Sequence, residues 1–131
     1  MAVLDASVLV EYLAGGERAQ EVRRRIMQDP ERLWAPHLID AEIGHVLRRG
    51  TLAGELSASA ASDALDALAD IPLQRASHLP LLSRAWSLRK NVSFYDGLYI
   101  ALAERLGLPL LTLDVRLARA PGLRAEVEVV A

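Results

Sequence analysis

Ser93-Phe94-Tyr95-Asp96-Gly97-Leu98-Tyr99-Ile100-Ala101-Leu102-Ala103-Glu104-Arg105-Leu106-Gly107 reads as one helix with both ends marked. Ser93 caps the first turn and Asp96 follows at the spacing of a capping box. Gly107 and then Pro109 stop it. At about 100° per residue, Phe94, Tyr95, Leu98, Tyr99, Leu102 and Leu106 share one broad stripe. Ile100, Ala101 and Ala103 make most of the remaining surface apolar. A helix apolar nearly all round lies buried at the centre of a fold. Its first turn nevertheless carries a carboxylate. Asp96 either only caps, or has a partner that justifies a charge beside the core.

Before this helix, the chain alternates strand and helix signals. Ala2–Leu4 is a short apolar strand ending in Asp5, and Ala6–Leu13 is a helix closed by Gly15-Gly16. Open α/β sheets place their sites at such strand ends. Position alone leaves Asp5 two readings, a site acid or a helix cap; Ser7 assists either. Glu17–Gln28 is a second helix, with Ala19, Val22 and Ile26 inward and Arg23-Arg24-Arg25 read as a solvated face, with phosphate binding as the alternative. Leu33–Ala35 is a second strand, broken by Pro36. Leu38–Arg49 is a third helix and Thr51–Glu55 a loop. The alanine-rich Ser57–Ala69 helix packs through Ala61, Ala64, Leu65 and Leu68. A weak strand, Pro72–Arg75, and a helix, Pro80–Arg89, anchored by Leu81, Leu82, Ala85, Trp86 and Leu88, lead to the central helix.

The third helix holds an anomaly. With Leu38 as origin, Val46, Ile39, Ile43 and Leu47 fall at about 80°, 100°, 140° and 180°, and Glu42 at about 40°, inside the apolar arc. An acid there requires a cation or hydrogen-bond donors. An arginine is the plain option and a metal the sharper one. Asp40 is expected at the exposed edge of the stripe, and His45 beside Glu42. After the central helix, Leu110–Leu113 is a strand ending in Asp114, with a short helix, Val115–Ala120, behind it. This repeats the arrangement at Asp5. Glu126–Val130 alternates like a sheet-edge strand.

Composition bounds the chemistry. The 131 residues suffice for one domain, read as residues 1–131, with a real core. An apolar fraction of 52% and a mean hydropathy of +0.18 argue against disorder. No run approaches a membrane span, and the N-terminus lacks the basic and long apolar regions of a signal peptide, so a cytoplasmic protein is expected. Without cysteine, disulfides and thiolate metal sites are excluded. The net charge of −2 argues against binding nucleic acid by surface charge alone.

Strand–helix alternation implies a parallel sheet with helices on both faces, whose strand C-termini gather at one edge. Asp5 and Asp114 end strands, Asp96 begins a helix and Glu42 lies on another. Four acids meeting at one edge repel, and each holds its proton more tightly unless a cation neutralises them. Oxygen-only ligands select a hard ion, Mg²⁺ or Mn²⁺.

Order and context together carry a resemblance. Val3-Leu4-Asp5-Ala6-Ser7, Ala41-Glu42, Ser93-to-Ala103 and Leu111-Thr112-Leu113-Asp114-Val115-Arg116-Leu117-Ala118 resemble, over essentially the whole chain, the PIN-domain nucleases, specifically VapC-type toxins of toxin–antitoxin pairs. The resemblance implies a three-layer α/β fold. Its central, mostly parallel sheet of four to five short strands is flanked by about seven helices. It further implies an endoribonuclease that cleaves RNA phosphodiesters with a water activated by Mg²⁺ or Mn²⁺. Asp5, Glu42 and Asp96 match the core metal acids and Asp114 the fourth. Ser7 and Thr112 match supporting hydroxyls, and Arg116 is a possible phosphate contact. A small cognate antitoxin and a homodimer are family expectations. Gly97 stands where alanine is common, at a helix-propensity cost of roughly 1 kcal/mol at most.

Receiver domains need an acidic pair at the first strand and a lysine at a later strand end. Here Leu4-Asp5-Ala6 has no pair, and the only lysine, Lys90, ends a helix. Asp-x-Asp phosphatases need a second acid where Ser7 stands. The alternative from another class is a non-catalytic PIN-like module that binds RNA or protein.

Overall fold

The computed structural model of the chain describes residues 1–30 and 32–131. In order, the elements are β1 (Ala2–Leu4), α1 (Ala6–Ala14), α2 (Ala19–Ile26), β2 (Leu33–Pro36), α3 (Leu38–Leu52), α4 (Ala58–Asp70), β3 (Leu73–Ala76), a 3₁₀ turn (Leu79–Leu81), α5 (Leu82–Ser87), α6 (Phe94–Leu106), β4 (Leu110–Thr112), α7 (Val115–Ala118) and β5 (Val127–Val129). The five strands form one wholly parallel sheet, ordered β3-β2-β1-β4-β5. This is the expected α/β architecture, at the upper end of the expected strand count.

Strand order dictates the layers. From β1 the chain steps to β2 and β3 on one side, then returns to place β4 and β5 on the other. Right-handed crossovers therefore put α1–α4 on one face and α5–α7 on the opposite face. The packing agrees: α1, α3 and α4 contact one another, while α6 lies against β1, β2 and β4 with α5 behind it. β1, covered on both faces, has no exposed residue.

Central α6 is the best-buried helix, from Gly97 through Ala103 without interruption. Ser93 Oγ accepts from Asp96 N–H at 3.0 Å, and Gly107 ends the helix in the left-handed region at φ 66°. A Cβ on Gly97 would stand 3.1–3.2 Å from Ala85 O, Cα and Cβ, so glycine here lets α5 approach closely.

Several expectations are corrected. Helix α3 continues through Gly50 and Thr51 to Leu52, into the expected loop. A Schellman turn closes it, with Glu55 N–H on Gly50 O and Gly54 N–H on Thr51 O. Helix α2 is shorter than the expected Glu17–Gln28. The expected Pro80–Arg89 helix splits into the 3₁₀ turn and α5, with Pro80 inside the turn. Phe94, Tyr95, Leu65, Leu82 and Trp86, assigned inward by periodicity, are exposed. The arginine triplet divides its work: Arg25 binds Glu128 of β5 at 2.6 and 3.2 Å, and Arg23 lies over the Tyr12 ring.

Candidate active site

The strand order reverses between β1 and β4, whose crossovers leave toward opposite faces. A crevice at the carboxyl ends of two such neighbours is where open α/β sheets bind ligands. The pairing of Leu4 with Leu111 brings Asp5 alongside Thr112, just past the end of β1. Asp114 follows β4 and opens α7. Asp96 lies in the first turn of α6, and Glu42 in the first half of α3.

Asp5 is only 7% exposed and has donors on both oxygens. Ser7 Oγ–H donates to Oδ1 at 2.6 Å and Val8 N–H to the same oxygen at 3.1 Å, while Thr112 Oγ1–H donates to Oδ2. Asp5 therefore caps α1, and does so from within the crevice. The two hydroxyls also accept. Leu113 N–H reaches Ser7 Oγ and Asp114 N–H reaches Thr112 Oγ1, each at 3.0 Å. Ser7 and Thr112 thus lace the start of α1 to the β4–α7 turn.

Glu42 accepts at 2.6 Å from the hydroxyl of Tyr99, which is 1% exposed on α6. The core-facing residues of α3 are Ile39, Ile43 and Leu47, so Glu42 lies at the margin of the stripe, half-buried. Asp40 is half-exposed, as its edge position suggested, but holds Arg75 of β3 through both carboxylate oxygens at 2.8–3.0 Å. Together with Leu38 N–H donating to His78 Nε2 at 2.9 Å, this fixes the turn of α3 that presents Glu42. Exposed His45 makes no hydrogen bond among the described residues.

The electrostatics connect three of these acids directly. Burial is the main reason that Asp5, Glu42 and Asp96 hold their protons more tightly than free carboxylates. Hydrogen bonds oppose it at Asp5 and at Glu42, and the Ser93 hydroxyl opposes it at Asp96. The acids also act on one another: Asp96 raises Asp5, Asp96 and Asp5 raise Glu42, and Asp114 raises Asp96. Asp114 accepts from Arg116 N–H at 2.9 Å and pairs with Arg116 Nε at 3.5 Å, so its local duty is the cap of α7. Arg116 extends into solvent and eases the charge on Asp96.

Among the described residues, no three His, Cys, Asp or Glu side chains stand close enough together to hold a metal ion as placed. The chemistry of the donor set nevertheless fits one. The facing atoms are carboxylate and hydroxyl oxygens, which suit a hard cation. The burial and repulsion felt by the acids are what such a cation relieves.

Tyr99 is the site residue that sequence reading passed over. A tyrosine hydroxyl inside a buried helix needs a partner, and that requirement was the available signal.

A PIN-domain family model matches residues 2–123. Ribonuclease VapC1 of Mycobacterium tuberculosis H37Rv is 48% identical over 129 residues, covering 98% of this chain and 96% of that protein. The crystal structure of M. tuberculosis VapC20, described as a sarcin–ricin-loop-cleaving toxin, superposes with a TM-score of 0.73. It is 17% identical, over 96% of this chain and 99% of that one. VapBC2 of Rickettsia felis, solved with a DNA fragment from its promoter, gives 0.73 at 12% identity over 98% and 97%. The last two likenesses show a shared fold.

Proposed function

This chain belongs to the PIN-domain family and, within it, to the VapC ribonucleases, and from there we propose that Asp5, Glu42, Asp96 and Asp114 hold the divalent cation with which it cuts RNA. The chain is an endoribonuclease and the toxin of a toxin–antitoxin pair. The observation that carries the metal reading is the placement of buried Asp5 with half-buried Glu42 and Asp96 beside the carboxyl ends of β1 and β4, where among the described residues the only arginine acting on them is solvent-exposed Arg116; burial and their neighbours raise the proton affinity of all three.

Mg²⁺ or Mn²⁺ bound there supplies a nucleophilic water near neutral pH and neutralises charge on the phosphodiester. The protein's own residues prepare the site. Ser7 and Thr112 present hydrogens to Asp5 and leave it an acceptor with fixed oxygens. Tyr99 does the same for one oxygen of Glu42. Asp96 has its backbone N–H bound to Ser93, and its carboxylate faces the neighbouring acids. Arg116, exposed at the rim, supplies positive charge for phosphate. A small cognate antitoxin is the partner and a second copy of the chain the assembly. Its place of action is proposed to be the cytoplasm; no helix among the described residues is long and apolar enough to cross a membrane.

The test is cleavage of mixed cellular RNA by purified protein with Mg²⁺, Mn²⁺ or EDTA, beside Asp96→Asn. Cleavage that requires the cation and vanishes in the variant is expected. Cation-independent cleavage, or cleavage unchanged in the variant, would overturn the metal assignment. No cleavage by folded protein freed of antitoxin, with no melting shift on adding cation, would favour a non-catalytic binding module.

A further inference from the structure

Beside the acids, a cavity of about 480 Å³ opens between α1, α3 and the start of α6. Its size lies within the range of small-ligand sites. One wall is the face of α3 that turns away from the core. Leu38, Glu42, His45, Val46 and Arg49 fall within an arc of about 100° on that helix, and all five line the cavity. Leu38 and Val46 are half-buried and supply an apolar floor. Tyr95, 59% exposed, lines it from the first turn of α6. Glu42 is itself one of the candidate site acids and Tyr95 precedes another, Asp96, so the cavity adjoins the candidate active site.

The polar groups indicate the occupant. Arg49 and His45 are exposed, and the side chain of neither makes an ion pair or hydrogen bond among the described residues. Nine of the thirteen other arginines do have a side-chain partner: Arg18 a carbonyl, Arg24, Arg25, Arg75, Arg84 and Arg116 carboxylates, Arg32 the Met1 sulfur, Arg23 and Arg89 aromatic rings. Arg49 lies about two turns beyond Glu42 on the same face, so a chain leaving the acids along α3 meets cations next. An exposed aromatic face, an apolar floor and unpartnered cations together match single-stranded nucleic acid, whose bases stack on aromatic rings while cations follow its phosphates.

Resting on the ribonuclease reading above, we propose that this cavity binds the nucleotide adjoining the scissile phosphate of a single-stranded RNA segment. Its base stacks on Tyr95 over Leu38 and Val46, and its phosphate meets Arg49 and His45.

The test separates binding from cleavage. Full-length Asp96→Asn protein in EDTA is titrated against a fluorescently labelled, short single-stranded RNA of randomised sequence. The same titration is run with Tyr95→Ala, Tyr95→Phe, Arg49→Ala or Arg105→Ala added. Arg105 is exposed at the far end of α6 and serves as the control. Tyr95→Ala is expected to weaken binding about tenfold, and Tyr95→Phe to keep it, as stacking requires. Arg49→Ala is expected to weaken binding and reduce the salt slope by about 0.7. In wild-type protein, Tyr95→Ala should raise KM more than it lowers kcat.

Unchanged affinity across the set overturns the proposal and assigns the cavity to a protein segment instead. Equal losses at Arg49 and Arg105 overturn it as well, by showing diffuse surface attraction, as does absence of binding by the parent. If wild-type protein cleaves while these variants bind normally, only the cavity assignment falls. If wild-type protein fails to cleave but the Tyr95 and Arg49 effects hold, the fault lies with the nuclease reading.

Discussion

On α6, Asp96 and Glu104 stand about two turns apart. Burial raises the proton affinity of both, but only Glu104 is compensated. Arg84 grips it at 2.7 and 3.1 Å, and Arg124 N–H donates at 2.8 Å, so Glu104 ends below the ordinary carboxylate range. Asp96 receives one hydroxyl and the distant charge of Arg116, against burial and the Asp114 carboxylate, and ends above it. One helix thus carries an acid that the fold has neutralised and an acid that it has not. The first fastens α5 and the 122–124 segment to α6, since Arg84 also donates to Gly122 O at 2.9 Å. The second is left without such a partner, as the proposed role in holding a cation requires.

The difference can be tested at both ends. Asp96→Asn should abolish cation-dependent RNA cleavage, by at least about a hundredfold, because even residues that only support metal ligands are worth 10–100-fold. Retained cleavage would place Asp96 with Glu104 among structural acids. Arg84→Ala should act oppositely, costing about 2 kcal/mol by leaving Glu104 half-buried without its cation. Denaturant unfolding measures this, and cleavage at 25 °C by the folded fraction should be unchanged.

Tyr99→Phe sharpens the contrast, because it removes the one side-chain donor that Glu42 has among the described residues. Cleavage should fall about tenfold and cation affinity, read by melting shift, should weaken with it. A loss of stability with cleavage intact would make the hydroxyl purely structural.

The smallest effect is in pH. Asp5, Glu42 and Asp96 have raised folded values, so their ionisation disfavours the metal-free fold near neutrality. That cost is relieved as pH falls through those values toward the unfolded range near 4. Glu104 has a depressed folded value. Its contribution is complete above its unfolded value and is lost as pH falls through the folded one. Asp96→Asn should therefore raise the melting temperature of metal-free protein by a few degrees at pH 7, less as pH approaches 4. Saturating Mg²⁺ should stabilise wild-type protein, by about 2.7 kcal/mol at a hundredfold excess over Kd, and not the variant. Equal melting curves at every pH would contradict the uncompensated-acid account.

Much of this was legible beforehand because it is local. The strands before Asp5 and Asp114, the Ser93 cap and the Gly107 stop are all written within a few residues. What failed was the assignment of inside and outside on helices. Periodicity groups Phe94 and Tyr95 with Leu98, but it cannot say that α6 begins beyond the sheet, where its first turn is open. It likewise placed Glu42 within the α3 stripe, whereas the core lies on the side of Ile39, Ile43 and Leu47. Trp86 was taken as an anchor, yet it is 60% exposed under the Arg89 guanidinium. The continuation of α3 past Gly50 depends on a Schellman turn at Gly54, whose bonds form only once the chain beyond Thr51 folds back on the helix end.

By itself, the sequence determined which segments are strands and helices, that the strands run parallel, and which carboxylates stand at element ends. Those follow from short-range sterics, caps and alternation, which need no knowledge of neighbours. Tertiary structure alone decided which acids are answered and which are left. Arg84 reaches Glu104 across 20 positions, Arg75 reaches Asp40 across 35, and Tyr99 reaches Glu42 across 57. Charge compensation is a matter of ångströms in space, and only the packed sheet and its two helical layers set those distances.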